Sequence, residues 1–238
     1  MDEKTKDNIK ETTELIKSKQ SWITYVSWAI LAFALISGIW TQSWNLVFLS
    51  TVVFGLTLLP FIFSSWAEIN IPAGFMGAIV AFFVATVFLG EVGDFYEKYW
   101  WWDTVLHTGS AIGFALIGML IVLFLLRGKR IAAPPIFLAL MAFSFAMAMG
   151  GLWEIFEYAM DQWFGLNMQK DGLDDTMQDL IVDAGGAFIG ALAGWLYLRT
   201  SGGSFLGATL DSFVSKNPHL FKDGKNKPKP KPKKKAKS

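Results

Sequence analysis

Residues 104–126 read TVLHTGSAIGFALIGMLIVLFLL, and His107 is the single ionisable side chain in this run. A helix needs about 20 predominantly apolar residues to cross a hydrocarbon core of about 30 Å. Five other stretches meet the same requirement, at residues 22–40, 46–66, 71–90, 135–153 and 180–198. The sequence therefore predicts six membrane spans.

The backbone of these spans is predicted to be helical. Lipid offers no hydrogen bonds, so only helices and closed barrels cross it. Barrel strands alternate polar and apolar residues, and segments such as 121–126 (IVLFLL) do not. The predicted fold class is an all-α, polytopic membrane protein of about six transmembrane helices, with the lipid bilayer as its surroundings.

The basic residues predict the orientation. Nineteen of the 21 Lys and Arg residues lie before the first span, between spans four and five, or after the sixth span. Only Lys98 and Lys170 lie on the other side. Because cytoplasmic loops carry the excess of Lys and Arg, we expect both termini to be cytoplasmic.

The chain divides into three predicted parts: a charged cytoplasmic segment (1–21), the six-span domain (22–199) and a cytoplasmic tail (200–238). From about residue 222 the tail alternates Lys and Pro, a composition typical of extended, disordered chain. Anionic lipid headgroups are a nearer partner for it than nucleic acid. A tail that is merely solvated fits the composition equally well. The absence of cysteine excludes disulfides and thiolate sites.

Acidic residues are concentrated at one end of the predicted bundle. Twelve of the 20 Asp and Glu residues fall between Glu91 and Asp183. The predicted topology places them in the loops joining spans three to four and five to six, and at the adjoining ends of spans four, five and six. Ionisable residues at membrane depth are costly and usually mark a functional site.

The spacing of these residues predicts shared helix faces. Asp103 and His107 are four apart, and Glu154 and Glu157 are three apart. Asp175, Asp179 and Asp183 follow one another at intervals of four. Neighbouring carboxylates repel one another, and the basic residues on this side are few. A bound cation, or protonation of the carboxylates, would relieve that repulsion.

Carboxylate-rich sites suit hard divalent metals, whereas zinc sites usually contain more imidazole or thiolate. With one histidine on this side, the sequence favours Mg²⁺, Mn²⁺ or Ca²⁺ over Zn²⁺. The predicted ligands are Glu154, Glu157, Asp175, Asp179, Asp183 and His107. His107, oriented by Asp103, is also the predicted catalytic base.

Ordinary structural roles also account for many of these acids. Asp174, Asp175 and Asp179 fit the first turns of span six, and Asp103 directly precedes span four. Glu91, Asp94 and Glu97 fit a solvated loop, in which Asp94 and Lys98 are four apart. Capping does not explain Asp183, which lies inside the apolar run.

Glycine patterns predict close packing of spans four and six. Gly109 and Gly113 have the spacing of small residues at lipid-embedded helix interfaces, and Gly186, Gly190 and Gly194 repeat it. The adjacent pair at 150–151 is predicted to loosen span five.

Three motifs carry a resemblance to a known family: WDTVLH at 102–107, WEIFEY at 153–158, and DTMQD at 175–179, which continues to DAGG at 183–186. The chain resembles the YjdF-like family of uncharacterised bacterial inner-membrane proteins over residues 70–200. The resemblance implies a multi-pass protein of a bacterial or archaeal cell membrane and supplies no activity.

Three functions remain open from the sequence. The first is a metal-dependent membrane hydrolase or transferase that acts on a lipid or other amphiphile. The second is a cation- or proton-coupled transporter, and the third is a structural or assembly protein. No arginine lies between Arg130 and Arg199, which argues against strong phosphate binding.

Overall fold

The computed structural model describes residues 21–126, 133–200 and 205–221. These residues form helices and no strand, which confirms the predicted fold class. The helices are α1 (Trp22–Trp40), α2 (Trp44–Trp66), α3 (Ala73–Phe83), α4 (Phe95–Lys98), α5 (Trp102–Leu126), α6 (Pro135–Phe164), α7 (Leu173–Thr200), α8 (Phe205–Lys216) and α9 (Pro218–Phe221). A π-helical segment, Val84–Val92, continues α3. The predictions for residues 1–20, the basic loop at 127–130 and the tail from 222 lie outside the described residues.

Six helices are long and apolar enough to cross a membrane: α1, α2, α3 with its π-helical segment, α5, α6 and α7. The fifth and sixth run further than the apolar stretches predict, to Phe164 and from Leu173. Gly165 ends α6 in a left-handed conformation (φ 66°). Asp161 then accepts hydrogen bonds from the backbone N–H groups of Met168 (2.7 Å) and Gln169 (2.9 Å). These hydrogen bonds hold the loop between α6 and α7 against the end of α6.

The spans group into two triples. The first triple is α1, α2 and α3 with the π-helical segment, and the second is α5, α6 and α7; packing between the triples is sparse. A buried aliphatic and aromatic cluster that includes Leu31, Val53 and Phe88 holds the first triple. The second has a layer of small residues, in which Ala115, Ala146 and Ala187 are fully buried, and a separate cluster of larger side chains that includes Leu116 and Met119.

Glycine brings α7 against α5, as the sequence predicts. A Cβ atom on Gly186 would lie 2.6 Å from the carbonyl oxygen of Thr108, and one on Gly190 would lie 2.8 Å from that of Ile112. The prediction for α5 itself is wrong, because Cβ atoms on Gly109 and Gly113 would meet nothing within 4 Å. The small residues that α5 presents to these glycines are instead Ala111 and Ala115.

The two triples are joined at the end opposite the acidic loops. Asn217, between α8 and α9, is fully buried. Its side chain accepts a hydrogen bond from the backbone N–H of Asn70 (2.6 Å) and donates to the Asn70 carbonyl (2.9 Å). Leu210 of α8 packs into the core of the second triple. Residues 205–221, predicted as the start of the tail, are therefore helical and packed.

Candidate metal site

One imidazole stands at the centre of the acidic residues. His107 is on the second turn of α5, and its Nδ1 lies 3.3 Å from Asp183 Oδ1 of α7. Its Nε2 faces Asp103 Oδ1 at 3.8 Å and Asp179 Oδ2 at 3.9 Å. Both ring nitrogens therefore face carboxylates. Asp103 is one turn before His107 on α5, and Asp179 and Asp183 are one turn apart on α7, so each pair lies on one helix face.

Three carboxylates of this cluster are withdrawn from solvent. The exposed fractions of Asp183, Glu154 and Asp179 are 1%, 4% and 5%. Among the described residues, no hydrogen-bond partner reaches Oδ2 of Asp183, Oδ2 of Asp179 or either carboxylate oxygen of Glu154. Thr176 interacts with Glu154, but outside hydrogen-bonding geometry. Buried polar atoms are normally hydrogen-bonded, and a proton, a water molecule or a cation would each satisfy such oxygens.

The absence of a side chain at Gly150 leaves room for the carboxylate of Asp183. A Cβ atom at this position would clash with Asp183 Oδ2, whereas one on Gly151 would meet nothing within 4 Å. Helix α6 runs without interruption through both glycines, so the predicted loosening of span five is wrong. The glycine brings the backbone of α6 against a buried carboxylate of α7.

The geometry selects three donors for a single ion. One donor atom from each of Asp103, His107 and Asp179 lies within 4.8 Å of the other two. Ligand oxygens lie about 2.0–2.6 Å from Mg²⁺ or Ca²⁺, so donors on one ion are up to about 5 Å apart. The donor set fits one divalent cation. Asp183, on the other ring nitrogen, has the position of a carboxylate that orients a metal-binding histidine.

The remaining predicted ligands surround this group without belonging to it. Glu154 is buried beside it, and Glu157 and Asp175 are half-buried. Asp175 is in the first turn of α7, where the capping explanation also places it. Asp161 is a loop cap, and the predicted pairing of Asp94 with Lys98 is confirmed at 3.7 Å.

Sequence reasoning missed Tyr96 on α4. Burial raises the pKa of its phenol, and the carboxylates of Asp103 and Glu91 raise it further. Glu157 and Asp179 act in the same direction, so the phenol lies within reach of the cluster. No spacing rule links a tyrosine on this short helix to residues on three other helices.

These features define a multi-pass helical membrane protein with a buried His–carboxylate cluster in its second triple. A family described as "Predicted membrane protein (DUF2238)" matches residues 22–200, and the chain belongs to that family. The resemblance to an uncharacterised membrane family is confirmed under this description, and not under the YjdF-like name.

A Thermotoga maritima protein named "Uncharacterized protein" is 36% identical over 118 residues. The matched segment is 49% of this chain and 58% of that relative. No solved structure matches the chain.

Proposed function

We propose that the protein binds one divalent cation through Asp103, His107 and Asp179. The observation that carries this proposal is that one donor atom from each of these residues lies within 4.8 Å of the other two. The buried oxygens of Asp179, Asp183 and Glu154 that have no hydrogen-bond partner among the described residues add support. An ion of charge +2 would offset the negative charge of the buried acids. Within the described cluster, His107 is the one side chain that can carry a positive charge. Asp183 would fix the orientation of the His107 ring from its far side.

The donor chemistry favours Mg²⁺, Mn²⁺ or Ca²⁺ over Zn²⁺. Two carboxylates and one imidazole form a harder donor set than the His- and Cys-rich sites typical of zinc. Of these ions, Mn²⁺ accepts imidazole together with carboxylates most readily. It is therefore the probe of choice.

The reaction class that this site would serve is hydrolysis or group transfer on a lipid or amphiphile at the outer face of the membrane. A bound cation would supply Lewis-acid chemistry there. His107 is on the second turn of α5, and Glu154 and Asp179 directly adjoin the apolar stretches 135–153 and 180–198, which supports a site at the level of the lipid headgroups. The distribution of Lys and Arg supports the outward orientation, and a reporter inserted after Lys170 tests it: a cytoplasmic signal would overturn the placement.

The packing beneath the cluster argues against a transport pathway. Below His107 and Asp183 the three helices of the second triple meet through Ala115 of α5, Ala146 of α6 and Ala187 of α7, all buried. No acidic or basic residue follows in α7 before Arg199. The site therefore ends in a closed apolar layer, which suits binding better than conduction.

Metal analysis of the purified protein tests the proposal. We expect about one equivalent of Mn²⁺ in the unmodified protein, and a loss of affinity of about 10- to 100-fold when a ligand or the residue orienting it is removed. His107→Ala, Asp179→Asn and Asp183→Asn are the test variants. Asp174→Asn removes an exposed acid from the same helix as Asp179 and is the matched control.

Equal Mn²⁺ affinity in Asp174→Asn and Asp179→Asn, in folded protein, would refute the assignment. A folded protein that takes up no divalent ion would instead support a structural role for the cluster.

A further inference from the structure

Two loops meet over the acidic cluster. Lys170, in the loop between α6 and α7, forms an ion pair with Glu97 of α4, with Nζ 2.9 Å from Oε1. The same Nζ lies 5.1 Å from the centre of the Tyr96 ring, within the range of a cation–π interaction. Lys170 therefore connects the loop between spans five and six to the loop between spans three and four.

The shape of the third span fits Tyr96 closely. A Cβ atom on Gly90 would clash with the Tyr96 ring, so the ring lies directly against the backbone of the π-helical segment. Asp94, in a left-handed conformation (φ 61°), turns the chain sharply into α4. The ring is thereby held between the π-helical segment and Lys170.

Tyr96 also lies next to the cluster itself. The carboxylates of Asp103, Glu157 and Asp179 all act electrostatically on its phenol, although they come from three different helices. Lys170 in turn acts on Asp103 and Asp175. Both side chains thus lie near the acids of the cluster, on its loop side.

We propose that Tyr96 and Lys170 form a strap across the mouth of the acidic cluster and control access to it. The identity of the entering species as a divalent cation rests on the proposed function. The covering of the carboxylates is independent of it. Opening the strap breaks the contacts of Lys170 with Glu97 and with the Tyr96 ring, and frees the loop between α6 and α7.

Lys98 provides a matched control. It is on the same short helix as Tyr96, and its Nζ is bound to the Gly93 carbonyl (2.8 Å) and lies 3.7 Å from Asp94. Both contacts stay within one loop, so removing this charge leaves the connection between the loops intact. Lys170→Met therefore removes the contact that bridges the two loops, whereas Lys98→Met leaves it in place.

The experiment measures access to the buried carboxyls by labelling them with an apolar carbodiimide. Mass spectrometry follows the peptides that carry Glu154, Asp179 and Asp183 in full-length protein without added metal. We expect labelling about two- to five-fold faster in Lys170→Met, as the loss of a partly exposed cation–π contact and ion pair implies. We expect an unchanged rate in Lys98→Met.

Two tyrosine variants separate the ring from its hydroxyl group. Tyr96→Ala removes the cover and should give the fastest labelling, whereas Tyr96→Phe keeps the ring and should stay close to the unmodified rate. Equal rates in Lys170→Met and Lys98→Met, or an unchanged rate in folded Tyr96→Ala, would overturn the strap.

A second arm with Mn²⁺ keeps the two proposals distinct. If Mn²⁺ slows labelling of the unmodified protein, the cation site gains support. If Mn²⁺ has no effect while Lys170→Met still accelerates labelling, the strap stands and the cation site fails. If Mn²⁺ protects the carboxyls while the two lysine variants react at equal rates, the cation site stands and the strap fails.

Discussion

The two triples bury polar groups in opposite ways. In the first triple these groups are hydroxyls that donate to backbone carbonyls: Ser50 to Leu46 (2.7 Å), Thr57 to Phe54 (2.7 Å) and Ser64 to Ile69 (2.5 Å). Thr24 is an exception, with a buried hydroxyl that has no partner in the described part of the chain. In the second triple they are carboxylates with unpartnered oxygens. The first triple is largely complete in itself, whereas the buried carboxylates of the second have oxygens without a partner among the described residues.

The largest expected effect tests how closely the second triple is packed. Gly190→Leu drives a side chain into the backbone of α5, which cannot move aside, so we expect loss of the folded state or at least about 3 kcal/mol of destabilisation. Gly113→Leu, on a face of α5 where an added Cβ meets nothing within 4 Å, is the control. Thermal unfolding in detergent measures both. Similar unfolding temperatures for the two variants would disprove the packing contrast.

We expect a bound cation to stabilise the protein through residues of the second triple only. Binding to the folded state at 100 times the dissociation constant adds about 2.7 kcal/mol to the free energy of unfolding. We expect Mn²⁺ to raise the unfolding temperature of the unmodified protein and of Thr57→Val, but not of His107→Ala. A shift that survives in His107→Ala would place the ion elsewhere.

The connection between the triples is tested through Asn217. Asn217→Ala removes two hydrogen bonds to Asn70 and one to the Phe213 carbonyl (2.8 Å). We expect a loss of about 2–3 kcal/mol in the free energy of unfolding, because buried backbone groups lose their partners. Asn70→Ala keeps the backbone groups that Asn217 binds and should cost less. The comparison fails if the costs are equal or if either variant lowers Mn²⁺ affinity.

The smallest effect concerns the first triple. Trp28 Nε1 donates a hydrogen bond to Thr57 Oγ1 at 3.0 Å, and Trp28→Phe removes it. We expect about 1 kcal/mol of destabilisation, with Mn²⁺ affinity unchanged. Denaturation in detergent and a Mn²⁺ titration give the two values. A change in Mn²⁺ affinity would show that the triples are coupled.

The sequence alone predicts the six spans because length and apolar content decide which helices cross a bilayer. It also predicts the pairing of Asp103 with His107, which depends only on helical spacing. The contact of His107 with Asp183 depends on how α5 and α7 are rotated against each other. That rotation follows from the close contact of Gly186 and Gly190 with α5. The sequence does not show which surface of α5 these glycines meet. The sequence pattern around Gly150 likewise predicts a loosened helix, whereas this glycine fits α6 to its neighbour.

The π-helical segment Val84–Val92 has a consequence for how this protein can change over evolution. A π-helical turn holds more residues than an α-helical turn, so the segment is equivalent to residues inserted into an ordinary helix. Each residue in an α-helix turns the chain by about 100°. A deletion of one residue from an α-helix would turn all that follows by this angle, whereas a deletion here would bring the segment closer to an ordinary α-helix and leave Tyr96 in place. Among the six spans, the third is therefore the one expected to tolerate a single-residue deletion most readily.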